Sequence, residues 1–250
     1  MQSEMKSDPS IPVRQNWDSY TDADHEVWRI LYARRMKELR STASNVFLEG
    51  AELIGLSETQ IPNLADVNAR LMARTGWSAV PVGGFLPAPE FFKSLAERRF
   101  PTTVTIRSRD SIDYVPEPDI FHDVFGHVPL HSDPAFADFL QRFGQAASRA
   151  RTDDEVVMMA RIFWFTVEFG LVDERGSPKI YGSGLISSAG DAANALGPRC
   201  ERRPFSIEAV TSQPFEIDRL QDVLFVVESF DQLFEAVETM MQRGVAGPVQ

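Results

Sequence analysis

Residues 162–171 read IFWFTVEFGL, a run of apolar and small side chains interrupted by one ionisable group, Glu168. Any fold that buries this run must accommodate the carboxylate, because taking a bare charge out of water costs several kcal/mol unless it is paired or bound to a cation. The nearest basic residues in sequence, Arg161 and Arg175, stand seven positions away on either side, so local pairing is not evident. Val156, Ala160, Phe163, Trp164 and Val167 fall on one helical face, which predicts a helix over 153–169 that stops at Gly170.

The chain has four histidines, and two of them, His122 and His127, lie five apart in PEPDIFHDVFGHVP. On a straight α-helix five residues turn through about 500°, which leaves the two side chains about 140° apart. They converge only where the helix ends or distorts, and Gly126 offers that freedom. Two readings stay open from spacing alone. The pair is either two core histidines, each satisfied by a carbonyl, or two ligands that meet Glu168 around a metal. Two imidazoles and one carboxylate form the facial triad of non-haem Fe(II), with positions left open for oxygen. Catalytic zinc takes the same ligand types, which keeps a metallohydrolase in view. His25, among Asp22, Asp24 and Glu26, reads as an exposed helix residue, and His131, after HVPL, as a loop residue. In YGSGLISSAG the hydroxyls of Ser187 and Ser188 sit in a glycine-flanked loop, where one of them would accept the second N–H of a ligating imidazole. The glycines there lack a phosphate-loop spacing, which argues against a nucleotide.

The rest of the chain frames this site. A formal charge of −11 repels phosphate backbones and anionic lipid, so nucleic acid and membrane surfaces are poor partners. A single cysteine, Cys200, allows neither an internal disulfide nor a thiolate zinc site, and fits a reducing cytoplasm. No stretch approaches the roughly 20 apolar residues of a membrane span. Residues 1–16 and 243–250 read as tails around a single domain over 17–242, and the polar N-terminus lacks the apolar run of a signal peptide. Helices are predicted from Thr21 to about Gly50 and over 63–75, 90–99, 134–149, 153–169 and 230–241. Short strands are predicted over 77–82, 104–107 and 224–227, with a hairpin over 171–181. The fold class is mainly α with short β-strands (α+β), without the alternation of a doubly wound sheet.

Several blocks, in order, carry a resemblance: TGW at 75–77, FF…LAERRFP at 91–101, TIR at 105–107, DYVPEPDIFHDVFGHVPL at 113–130, DPAFADF at 133–139, FWFTVEFGL at 163–171, IYGSGLISS at 180–188 and LFVVESF at 224–230. Together they resemble the pterin-dependent aromatic amino acid hydroxylases, most closely their bacterial phenylalanine hydroxylases. The resemblance implies a catalytic domain holding Fe(II) on His122, His127 and Glu168. It also implies a tetrahydropterin stacked on Phe91, lined by Gly84 and Leu86 and reached by Asp123 directly or through water. The substrate carboxylate would sit on Arg107, itself positioned by Asp119. Pro118 and Trp164 would wall the ring pocket, Ser187 would hydrogen-bond His122, and Gly184 and Ser188 would lie near the substrate backbone. In that family dioxygen, iron and pterin generate a high-valent Fe(IV)-oxo species that attacks the ring. The implied reaction is phenylalanine to tyrosine, with hydroxylation at the meta position, or of tryptophan, as the alternative. Three departures bear on the substrate: Phe163 and Phe215 stand where relatives carry tyrosine, and Val115 where some carry a hydroxyl. The chain has room for neither a regulatory domain nor a tetramerising coiled coil, so a monomer, or at most a weak dimer, is expected.

Overall fold

The computed structural model describes residues 13–84, 86–113 and 117–242, so Val115, the first twelve residues and 243–250 lie outside the described residues. The fold is mainly helical with short strands. Helix α1, Asp22–Thr42, opens with a capping box in which Thr21 and Asp24 exchange side-chain and backbone hydrogen bonds. The predicted single helix to Gly50 is in fact two. Ala43 leaves helical geometry, Ser44 donates its N–H to the Ile180 carbonyl, and its hydroxyl accepts from Phe47 to start α2, Asn45–Leu53. A serine cap and a foreign carbonyl outcompete continuation of the helix.

Helix α3, Leu64–Arg74, leads to strand β1, Ser78–Pro81, then α4, Ala88–Ala96, and β2, Arg99–Thr102, which pairs parallel to β1. The strand expected at 104–107 is therefore misplaced: strand pairing occupies 99–102. The backbone that follows bonds to the segment at 119–123 instead, through Thr103 N–H to Asp123, Ile120 N–H to the Thr105 carbonyl and Arg107 N–H to Asp119.

Phe121–His127 forms a π-helix that runs into a 3₁₀ turn at Val128–Ser132 and then α5, Pro134–Ala147. Helix α6, Asp153–Phe163, also widens into a π turn, Trp164–Glu168. Strands β3, Leu171–Glu174, and β4, Ser177–Ile180, make the expected hairpin, with Arg175 and Gly176 both at positive φ as its tight turn requires. Four elements were not anticipated: α7, Ser183–Ser187; α8, Ala189–Leu196; β5, Glu201–Pro204; and α9, Ile207–Ser212. Strand β6, Val223–Val227, completes a mixed sheet of order β4-β3-β6-β5, and α10, Phe230–Gln242, packs on α5.

The core sits behind the first π-helix. Phe121 and Phe125, one turn apart, stack at 4.5 Å, and Trp28 of α1 meets them edge-on at 5.4 and 6.4 Å. All three are fully buried, so one face of the histidine-bearing helix is anchored in packed aromatics and the other is left for chemistry.

Candidate active site

The π-helix resolves the spacing of the histidines. Its hydrogen bonds span five residues instead of four, so side chains five apart project to nearly the same side. The distortion extends over the whole of Phe121–His127. Gly126 has another reason to be small: a Cβ there would lie 3.1 Å from Ser183, so its absence admits α7. The His122 and His127 rings meet at 86° with centroids 5.1 Å apart. Glu168, at the end of the second π turn, brings Oε2 to 3.6 Å from His122 Nε2 and Oε1 to 3.2 Å from His127 Nε2. One ligand atom from each residue lies within 4.8 Å of the others.

Burial acts to raise the Glu168 carboxyl, but the two imidazoles and the Ser183 hydroxyl outweigh it and hold the group at about 2. Among the described residues Glu168 forms no salt bridge with lysine or arginine. The demand the sequence made of this carboxylate is met by two imidazoles and a hydroxyl. Ser187 Oγ lies 2.9 Å from His122 Nδ1 and donates to the Ser183 carbonyl at 2.8 Å. A hydroxyl with its proton committed to a carbonyl accepts from the imidazole, which places a proton on His122 Nδ1 and leaves Nε2 as the atom on the Glu168 side. Imidazole nitrogen and carboxylate oxygen donors, without thiolate, suit ferrous iron.

Next to the triad, Arg107 and Asp119 form a two-pronged pair, Nε to Oδ2 at 2.8 Å and Nη2 to Oδ1 at 2.9 Å. Asp119 also accepts the backbone N–H of Arg107 and of His122. Burial opposes its charge, but these donors prevail and its carboxyl lies below the ordinary value. Among the described residues, the Nη1 of Arg107 has only a long 3.4 Å contact with the Ile112 carbonyl. The Nη1–Nη2 edge of the guanidinium therefore retains donors for a second carboxylate.

Asp123 is buried with Oδ2 held by the N–H and hydroxyl of Thr103 at 2.6 and 2.8 Å, and burial raises its carboxyl. Phe91 is half-buried and meets Phe163 edge-on at 5.3 Å, and Phe163 lies 6.4 Å from the His127 ring. Gly84, at φ +153°, and Leu86 are half-buried on the loop before α4, and Pro118 is exposed beside Asp119. Trp164 stacks with Phe169 at 4.5 Å and Phe215 at 4.6 Å. Ser187 and Ser188 do not sit in a loop: Ser187 ends α7, and Ser188 accepts from Asp191 N–H to start α8. Gly184, inside α7, packs against Phe169 and the Glu168 carbonyl.

Two histidines differ from expectation. His25 is half-buried, accepting the Ile61 N–H on Nδ1. His131 is fully buried on the 3₁₀ turn, stacked on Trp77 at 4.8 Å, and burial pushes its basicity well below the ordinary range. Two contributors escaped the sequence reading. Arg35, buried on α1, clamps the carbonyls of Leu185 and Ile186 and so holds α7 over the site. Its signal was its position four residues after Leu31 and four before Leu39, on the buried face. Ser183 touches two of the three ligands and had no such signal.

Residues 6–245 match the family model described as biopterin-dependent aromatic amino acid hydroxylase. The chain belongs to that family. It is 41% identical over 228 residues to phenylalanine-4-hydroxylase of Caulobacter vibrioides, covering 91% of this chain and 78% of the relative. It is 44% identical over 231 residues to phenylalanine-4-hydroxylase of Mesorhizobium japonicum, covering 91% and 82%. The structure of Chromobacterium violaceum phenylalanine hydroxylase with iron(III) and 7,8-dihydrobiopterin matches at a TM-score of 0.88 and 39% identity, over 95% of this chain and 88% of that one. As a member of this family the chain is a pterin-dependent iron monooxygenase, and the expected Fe(II) and tetrahydropterin fit the donors described above.

Proposed function

We propose that this hydroxylase converts L-phenylalanine to L-tyrosine. The carrying observation is the coupling of an open guanidinium edge on Arg107 to the metal-capable helix through Asp119, in a chain 41% and 44% identical to two phenylalanine-4-hydroxylases. A bound iron and tetrahydropterin supply the activation of dioxygen, and the protein contributes binding, orientation and exclusion of water.

In this reading His122, His127 and Glu168 are the iron ligands. Arg107 takes the amino acid carboxylate in a second two-pronged pair, with Asp119 fixing its plane. Trp164, stiffened by Phe169 and Phe215, walls the ring pocket together with Pro118, while Gly184 and Ser188 border the amino acid backbone. Phe91 stacks the pterin, Gly84 and Leu86 line its side, and Asp123, engaged by Thr103 through Oδ2, offers Oδ1 to the pterin or to a bridging water. A bound tetrahydropterin would serve as the second oxygen acceptor, taking the atom of dioxygen that does not enter the ring.

We place the enzyme in the cytoplasm as a monomer with a single catalytic domain over 17–242. A lone buried cysteine supports a reducing compartment, and among the described residues no helix is long and apolar enough to cross a membrane.

The test is aerobic incubation with Fe(II), a tetrahydropterin and, in turn, phenylalanine, tyrosine and tryptophan, with products separated by chromatography. L-tyrosine from phenylalanine is expected as the main product. Dominant meta-tyrosine or hydroxytryptophan would replace this reading, and absence of any hydroxylated amino acid would overturn it.

A further inference from the structure

We propose that Ser183 is a positioning residue of the metal site, holding one oxygen of Glu168 while presenting a lone pair on the side where the ion binds. The inference rests on the triad being the metal site. Ser183 Oγ is fully buried, 2.6 Å from Glu168 Oε2 and 2.8 Å from His127 Nε2. A hydroxyl has one proton to give. The shorter contact, to an ionised carboxylate, is the charge-assisted one and takes that proton. In the metal-free site His127 Nε2–H then donates to the Ser183 oxygen, and an ion at Nε2 would take the place of that proton. Nε2 is also the His127 atom that faces Glu168 Oε1 at 3.2 Å. Ser183 therefore stands among the metal-facing atoms, whereas Ser187 acts from behind, on Nδ1 of His122.

One residue thus reaches all three ligands. Its hydroxyl engages Glu168 and His127, and its carbonyl receives the Ser187 hydroxyl that orients His122. The approach is built into the packing. Gly126 has no Cβ to obstruct it, a Cβ on Gly182 would lie 2.4 Å from the Glu168 carbonyl, and Arg35 holds the far end of α7. With Oε2 held by the hydroxyl, Oε1 is the Glu168 oxygen that would be freer to meet an ion.

The test measures Co(II) binding to the metal-free protein, by titration and visible absorption, in Ser183→Ala, Glu168→Gln and the double variant. Cooperative melting of each metal-free protein serves as the folding control. Ser183→Ala is expected to weaken Co(II) roughly ten- to hundred-fold and to change the absorption bands. In the Glu168→Gln background its effect is expected to be smaller than in the parent, because the proton it gives goes to that carboxylate. Unchanged affinity and spectrum, or losses that multiply in the double variant, would overturn the proposal. Should Ser183→Ala fail to fold, Ser183→Thr carries the test: it keeps the hydroxyl and is expected to bind Co(II) like the parent, and a folded Thr variant with impaired binding contradicts the proposal. Because Co(II) binding needs neither amino acid nor oxygen, a protein that behaves as expected here yet hydroxylates nothing defeats the functional reading alone.

Discussion

Arg107 and His122 share one acceptor: Oδ1 of Asp119 receives Nη2 of the arginine at 2.9 Å and the backbone N–H of the histidine at 3.1 Å. The proposed anchor for the amino acid and the first turn of the helix carrying two of the proposed iron ligands are thereby referred to a single atom. Asp119→Asn removes the charge and one of the two acceptor oxygens. A hydrogen bond to a charged group contributes about 1.5–3 kcal/mol, so the KM for phenylalanine should rise roughly ten-fold or more. Steady-state kinetics at saturating pterin checks this.

The same pair makes a pH-dependent contribution to stability. The Asp119 carboxyl is lower in the folded protein than its ordinary value, since the Arg107 donors outweigh the effect of burial. Its stabilisation is full above the unfolded value, near pH 4, and is lost as pH falls through the still lower folded value. Arg107 and Asp119 side chains are only 10% and 6% exposed. Arg107→Ala leaves a buried charge without its partner and should cost about 3–5 kcal/mol at pH 7. Urea denaturation should show the gap from the parent protein narrowing below about pH 4.

Ser187 sets the tautomer of His122, so Ser187→Ala should weaken Fe(II) or Co(II) binding by roughly ten-fold or more while leaving the metal-free melting temperature little changed. Ser187→Thr, which keeps the hydroxyl, should restore most of the affinity. Isothermal titration of the metal-free proteins distinguishes the two.

Phe91 reaches the triad indirectly, through Phe163 and Phe100, both of which pack on the His127 ring. Phe91→Ala should raise the KM for tetrahydropterin about ten-fold, the loss of one aromatic stacking partner, with metal affinity unchanged. A parallel loss of metal would place Phe91 in the support of the triad instead.

Much of the site was legible because its residue types are costly in their settings. Glu168 in an apolar run and two histidines beside it in the fold announce a cation. Their geometry was not legible: straight-helix arithmetic sets the histidines apart, and only the π-helix brings them together. The strand assigned to 104–107 failed because alternation does not create a pairing partner, and this backbone bonds to 119–123. Strand β5 escaped because all four of its residues are exposed, so pairing with β6 leaves no apolar pattern. Ser183 was invisible for a related reason. A small residue between two glycines reads as a turn until α7 folds over the ligands.

The central claim is that three side chains hold one iron at which dioxygen reaches the ring of phenylalanine. Mass spectrometry of the product formed under ¹⁸O₂ tests it most directly, with Fe(II), a tetrahydropterin, and either the parent protein or Glu168→Ala. The account predicts tyrosine carrying one labelled oxygen from the parent and none from the variant, with the variant still folded. Tyrosine without label, or undiminished labelled tyrosine from Glu168→Ala, would contradict it.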